Sequence, residues 1–408
     1  MNFCVVNLGC RVNRTETDSV AAALLAQGNA SVAENQADLI VVNTCTVTGE
    51  ADKKARKAVR HALSASPHAQ VVVTGCAAAI EPQEFQALSP RVQIVPKAEL
   101  EQRVAHIQKT HRLLRIGEDF HTRVNLKIQD GCDHNCSYCI VHVARGKARS
   151  LPAKDVVSAA SAYAQRGVRE IVLTGINLAT YRDGNVDLAA LLRMLLEATE
   201  SPADGAPACR FRLSSVEPID LGANVVDVMA EADGRICRHL HMALQSGSNK
   251  VLAEMNRPYD ANQFLSLVSD MRARMPQLSL STDVIVGFPG ETDEDFQETL
   301  DLCRACAFSK IHVFPYSMRA GTPAALRADQ IPPEVKKSRA ARLRALSREL
   351  RQADYANRVG TVEMVLVEPD YALTESYHEV RRPLLAQIGD LVPLVLAADA
   401  QAAGKLSE

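Results

Sequence analysis

The segment KIQDGCDHNCSYCIVHVARG sets Cys132, Cys136 and Cys139 in a C-x3-C-x2-C pattern on one short loop. Zinc sites usually offer C-x2-C knuckles and four balanced ligands, and this triplet has no evident fourth partner nearby. Three thiolates on a cubane iron-sulfur cluster leave one iron open. An open iron binds an exchangeable ligand, which separates a reactive cluster from the four-cysteine arrangement of an electron carrier. Tyr138, just before the last cysteine, can shield the cluster or its ligand from water.

Three more cysteines follow a second pattern. The phrases NLGC, VNTC and VTGC place Cys10, Cys45 and Cys76 just beyond three apolar, strand-like stretches. In a parallel sheet those strand ends share one edge, where open α/β folds bind their ligands. Gly9 and Gly75, directly before two of these cysteines, allow the backbone to turn closely around a bulky inorganic group. Three separately buried core cysteines are the alternative. Cys4, Cys209, Cys237, Cys303 and Cys306 read as structural. Cys303 and Cys306 have C-x2-C spacing, but DLCRACAFSK reads as a helix end whose thiols pack into the core.

The elements that must position these residues alternate between strand and helix. A chain of 408 residues has room for two or three domains. Its 47% hydrophobic and 23% charged composition excludes a mainly disordered protein. With no secretory signal at the start, eleven cysteines are not expected to form a disulfide framework, and no apolar run is long enough for a membrane span. The first hundred residues read as a parallel α/β sheet. A charged helix and linker from Glu99 to Thr122 follow, with a boundary near Leu114. Six βα-like units then run from VNLKIQDGC to KIHVFPYS, which predicts a partial or complete βα barrel with its active site at the C-terminal strand ends.

Those ends nominate Thr174, Gly175 and Asn177; Ser214, Ser215 and Glu217; Gln245, Ser246 and Ser248; and Asp283, Gly287, Gly290 and Glu291. Polar residues at barrel rims also cap helices. Arg145, Lys147 and Arg149 place positive charge just after the cysteine loop, for a carboxylate or a phosphate. From Pro332 to Ala356 a helix carries Lys336, Lys337, Arg339, Arg342, Arg344, Arg348 and Arg351, either a solvated face or a polynucleotide contact. The β-branched tail from Val359 to Leu396 predicts a small β-barrel of OB-like size.

On the cysteine loop the chain resembles the radical S-adenosylmethionine superfamily. NLGCRVNRTETDS, VVNTCTVT and VTGCAAA make it similar to the methylthiotransferase branch over nearly the whole length. The resemblance implies three domains: an N-terminal methylthiotransferase domain over 1–114, a radical core over 118–350 and a TRAM domain over 351–408. It implies S-adenosylmethionine and two 4Fe-4S clusters, one on Cys132, Cys136 and Cys139 and an auxiliary one on Cys10, Cys45 and Cys76. Cofactor contacts fall on Thr174, Gly175, Asn177, Ser214, Glu217, Gln245, Asp283 and Arg145. The implied chemistry is a 5'-deoxyadenosyl radical from one cofactor molecule and methylation of sulfur by another, with no side-chain acid or base generating the radical.

VNRTET, LTGINLATY, RLSSVEP and HVFPYSMRAGTPA look most like the branch that adds a methylthio group to C2 of N6-threonylcarbamoyladenosine at position 37 of tRNA. Sister branches act on N6-isopentenyladenosine in tRNA or on a ribosomal-protein aspartate. A reading of another class is a nucleic-acid-binding module with structural clusters. The resemblance further implies a cytoplasmic monomer, a tRNA anticodon stem-loop as partner, and an external electron donor such as flavodoxin or ferredoxin. The sequence departs from the family pattern at His142, where Pro is common, in CAAAI after Cys76, and in a short C-terminal barrel with an Ala-rich stretch over 397–403.

Overall fold

The architecture was obtained as a computed structural model, which describes residues 1–100, 102, 122–200 and 208–399. The linker expected around Leu114 lies outside the described residues, as does the end of the Ala-rich tail. The chain divides into two compact units, one made of Met1–Arg115, Gly131–Ala148 and Ser317–Ala325, the other of Ile116–Asp130, Arg149–Tyr316 and Leu326–Glu408.

The first unit is built on five parallel strands, β1 (Asn2–Asn7), β2 (Ala30–Ser31), β3 (Leu39–Thr44), β4 (Gln70–Gly75) and β5 (Val92–Ile94), in the order β2-β1-β3-β4-β5. β3 reads LIVVNT with almost no alternation, as a strand covered on both faces requires. Helix Gly49–Ala65 lays Ala55, Val59 and Ala62 on one stripe against Ile40, Val42, Val71 and Val73. Its N-terminus is fixed by Thr48, whose hydroxyl accepts from Ala51 N at 3.1 Å.

In the second unit, parallel strands follow in sequence order: Arg123–Lys127, Glu170–Thr174, Arg210–Leu213 continuing into Ser215–Val216, His239–Met242, Ser279–Val286 and Lys310–Pro315. Helices connect them, and no pairing among the described residues joins the first strand to the last, so the arrangement is a partial βα barrel. Ile171, Leu173, Phe211, Leu213, Leu240, Leu280 and Val284 fill the apolar layer between these strands and the helices outside them.

The C-terminal segment is a four-stranded antiparallel sheet, in which Val362–Val367 lies between Ala372–Thr374 and Leu391–Val395, and Glu379–Val380 forms one edge. The described pairings form an open sheet where the sequence predicts a closed barrel.

A buried charge network ties this sheet to the barrel strands. Arg210 and Arg212 alternate along one strand and so project to the same face, where the fully buried Glu170 accepts from Arg210 Nε at 2.7 Å and Arg212 Nε at 2.9 Å. The remaining guanidinium donors reach the carbonyls of Met364 (2.7 Å), Leu373 (3.2 Å), Thr374 (3.1 Å) and Glu375 (2.9 Å). Burial opposes ionisation of Glu170, but the two guanidinia outweigh it and hold the carboxyl well below its ordinary range. Glu170→Gln strands this positive charge and is expected to cost about 3–5 kcal/mol, read as a lowered denaturation midpoint. An unchanged midpoint would show that the network contributes no net stability.

Candidate active site

Register brings the N-terminal cysteines together. Thr44 pairs with Gly75 and Asn7 with Asn43, so Cys45 and Cys76 leave adjacent strands side by side, and Cys10 leaves the next strand just beyond. The left-handed Gly9 (φ +107°) lies so close to Cys45 that a Cβ would sit 2.8 Å from its sulfur. At Gly75 (φ +93°) a Cβ would come within 2.4 Å of Thr44 O. Both glycines are therefore demanded by close approach.

Burial pushes the Cys45 thiol up to about 11; neighbouring Cys10 and Cys76 add to the shift and Arg145 opposes it. Cys76 is raised by burial too, against Arg145 and Lys97. Arg145 is itself buried, donating to Asn13 Oδ1 at 2.5 Å and Glu16 Oε1 at 3.2 Å, and Lys97 pairs with the same Glu16. Asn13 stitches the strand ends, donating to Leu8 O and Thr44 O at 2.9 Å each. Acids and amides of the N-terminal segment thus anchor the Arg145 guanidinium.

The loop of Cys132, Cys136 and Cys139 belongs to this same unit. It is closed by Cys132 N donating to Gly146 O at 3.1 Å, and Gly131 (φ +73°) admits no side chain because a Cβ would meet Lys147 O at 2.0 Å. Backbone N–H groups of His134 and Val141 point at the sulfurs of Cys132 and Cys139, each at 3.4 Å. Such bonds withdraw charge from metal-bound thiolates. Three soft donors and N–H···S bonds fit a 4Fe-4S cluster with one open iron. The helix that begins at Cys76 packs against helix Val141–Arg145, which follows Cys139, so one compact unit carries both cysteine triplets.

The strand-end residues lie in the second unit. Thr174 and Asn177 are fully buried; Gln129 Oε1 accepts from Ile176 N and Asn177 N at 2.9 and 3.0 Å and packs against Gly175. Asn177 donates to Asp220 at 2.6 Å and accepts from Glu217 N at 3.1 Å, which ties two strand-end turns together. Ser214 is buried with its hydroxyl unpartnered, and the Glu217 carboxylate pairs with Arg257. Gln245 adopts a left-handed backbone (φ +67°), a conformation that non-glycine residues hold where surrounding structure imposes it. Asp283 meets His241 at 3.2 Å.

Other nominated residues shape turns. Ser248 donates to Asp295 at 2.7 Å and Ser246 contacts Thr299, both on helix Asp293–Ala305. Glu291 accepts from Gly287 N at 2.7 Å and Phe288 N at 3.1 Å, which folds the GFPGE turn, and Gly290 gives room to Arg327 and Asp329. Ser215 lies in a strand pairing with His241, Arg149 donates to Asp130 at 2.9 Å, and Lys147 is exposed.

Two family models match the chain, the Radical SAM superfamily over residues 126–303 and Uncharacterized protein family UPF0004 over residues 2–96. A threonylcarbamoyladenosine tRNA methylthiotransferase of Bacillus subtilis is 36% identical, covering 91% of this chain and 85% of its own. One of Aquifex aeolicus is 33% identical, covering 97% and 100%. The chain belongs to this methylthiotransferase family. It is accordingly a radical S-adenosylmethionine enzyme, with a 4Fe-4S cluster and S-adenosylmethionine as its cofactor system. A tRNA-2-methylthio-N(6)-dimethylallyladenosine synthase of Endomicrobium trichonymphae is 32% identical, over 90% of this chain and 89% of its own. Among solved structures, the radical S-adenosylmethionine methyltransferase TsrM of Kitasatospora setae shares the fold, with a TM-score of 0.60 at 14% identity, over 80% of this chain and 77% of that one.

In this member of the methylthiotransferase family, sequence reasoning missed Asn13, Glu16, Lys97, Gln129 and Arg257. Asn13 had a signal: it stands three residues after Cys10 at the start of helix Arg11–Ala26, close to the face that Cys10 starts.

Proposed function

We propose that this chain adds a methylthio group to C2 of N6-threonylcarbamoyladenosine at position 37 of tRNA. The observation that carries the reading is the gathering of two three-cysteine sets in one compact unit of a chain that matches threonylcarbamoyladenosine tRNA methylthiotransferases over nearly its whole length. Cys132, Cys136 and Cys139 hold the radical cluster, which supplies the electron that breaks a carbon-sulfur bond of S-adenosylmethionine. Cys10, Cys45 and Cys76 hold a second 4Fe-4S cluster, and Arg145 and Lys97 offset its negative charge. Thr174, Gly175, Asn177, Ser214, Glu217, Gln245 and Asp283 position the cofactor, several of them by fixing strand-end turns. An external donor such as flavodoxin or ferredoxin delivers the electron, and the enzyme works as a cytoplasmic monomer. The domains are 1–114, 118–350 and 351–408, the last a TRAM domain. No described helix is long and apolar enough to cross a membrane.

The anticodon stem meets the basic helix. Of its seven cations, Arg339 is buried against Glu291 and Asp293, Lys336 donates to Tyr316 O and Arg351 to Tyr377 O. Lys337, Arg342, Arg344 and Arg348 are exposed, a narrower face than the sequence implied. If Arg344 and Arg348 each contact a phosphate, changing both to Ala lowers the salt slope of tRNA binding by about 1.4–1.8. An unchanged slope would place the RNA elsewhere.

Because relatives with the dimethylallyladenosine product lie within a few per cent identity, the adenosine modification is the point to test. Nucleoside mass spectrometry of tRNA from cells with and without the gene, in a background lacking a paralogue, is expected to show loss of the methylthiolated threonylcarbamoyl nucleoside. Its persistence, or loss of the dimethylallyl product instead, would reassign the substrate.

A further inference from the structure

The inner face of the partial barrel carries a group of metal-ligating side chains outside both cysteine triplets. His241, Asp283 and His312 stand on three adjacent parallel strands, His239–Met242, Ser279–Val286 and Lys310–Pro315. Asp283 is the direct register partner of His312, and His241 is paired with Ser281, two residues before Asp283 on the same face. Their alternating neighbours Leu240, Met242, Val284 and Ile311 belong to the apolar core between strands and helices, so the three polar residues project to the opposite, inner face.

Their geometry is that of an open three-ligand site. One donor atom from each residue lies within 4.8 Å of the other two. His241 Nε2 and Asp283 Oδ2 are 3.2 Å apart. Bonds of about 2.0–2.1 Å at a tetrahedral angle would separate two donors by about 3.3 Å. The imidazoles of His241 and His312 meet edge to face with centroids 5.5 Å apart. His241 Nδ1 lies 3.0 Å from Ser281 Oγ. When that nitrogen carries the proton and donates to the hydroxyl, Nε2 is left with its lone pair facing Asp283, the tautomer a metal needs and the outer hydrogen bond that ligating histidines usually make. The His241 and Asp283 side chains keep 13% and 30% exposure, which leaves a way in.

We propose that His241, Asp283 and His312 bind one divalent ion of borderline softness, zinc or ferrous iron, separate from the iron-sulfur clusters. Two imidazole nitrogens and one carboxylate oxygen form the set used by catalytic zinc and by mononuclear non-haem iron, with remaining positions open to water or an oxygen ligand. Asp283 balances part of the ion's charge. Asp283 is shared with the cofactor-positioning set, and the site does not depend on which adenosine is modified.

The test uses cluster-loaded holoprotein prepared anaerobically. One sample is equilibrated with Zn2+ and a second with 57Fe2+, and both are dialysed and counted for metal and sulfide per chain. The expected result is about one retained equivalent beyond the clusters for at least one of the two metals. For zinc, X-ray absorption should show a shell of nitrogen and oxygen with imidazole scattering and no sulfur at about 2.3 Å. For iron, Mössbauer spectra should gain a mononuclear high-spin ferrous doublet. Asp283→Asn and His312→Gln should each lose that equivalent while iron-sulfur content stays at the wild-type level. Failure of the wild type to retain either metal, sulfur in the zinc shell, or equal retention in folded variants would overturn the site. The wild-type spectra decide the question even where a variant does not fold.

Discussion

Cys136→Ala is expected to reduce formation of 5'-deoxyadenosine from S-adenosylmethionine to background, and with it all methylthiolation. Cys136 is the buried member of the loop triplet, and its carbonyl accepts from Cys139 N at 3.1 Å. Alanine there removes one of three thiolates and leaves a pair that cannot hold a cubane with a single open iron. Losing a hydrogen-bond partner of a metal ligand costs about 10–100-fold, and losing the ligand itself removes the site. The measurement is 5'-deoxyadenosine released under reducing, anaerobic conditions, alongside iron per chain. Cofactor cleavage at the wild-type rate would mean that the cluster is held elsewhere.

Cys45→Ala separates the two triplets. Iron should fall from about eight per chain to about four, cofactor cleavage should persist, and methylthio product should vanish. Cys45 sits between Cys10 and Cys76 along the edge, directly after β3, and Gly9 packs on its side chain. Its loss therefore strips the central donor while leaving the loop of Cys132, Cys136 and Cys139 intact. Retention of all iron would show that the N-terminal cysteines hold no cluster. Retention of product with half the iron would show that a second cluster is not the sulfur source.

Much of this was legible in the chain. Apolar stretches ending in cysteine predicted strands with a common C-terminal edge, and the register of Thr44 with Gly75 places Cys45 and Cys76 there. The helix Ala261–Arg274 has the expected bounds, because Asp260 and Gln263 form a capping box that can be read locally. Cys303 and Cys306 are fully buried, as the helix-end reading of DLCRACAFSK predicts.

Partnerships across long sequence separations were not legible. Arg145 was legible as a cation after the cysteine loop, but its partners Asn13 and Glu16 lie more than a hundred residues earlier. Nothing local in the sequence marks Arg210 and Arg212 as buried. They are buried because carbonyls of the C-terminal sheet, about 150 residues away, receive their donors. His241 and His312 carry no local motif and become neighbours only through parallel pairing to the strand of Asp283.

The most direct test of the whole account is an anaerobic reaction of the reconstituted enzyme with S-adenosylmethionine, reductant and two anticodon stem-loop RNAs. One carries N6-threonylcarbamoyladenosine at position 37 and the other N6-dimethylallyladenosine, and the nucleosides are read by mass spectrometry. The account predicts 2-methylthio product from the threonylcarbamoyl RNA and none from the other. Cofactor cleavage with both RNAs unchanged, or methylthiolation of the dimethylallyl RNA alone, would contradict it.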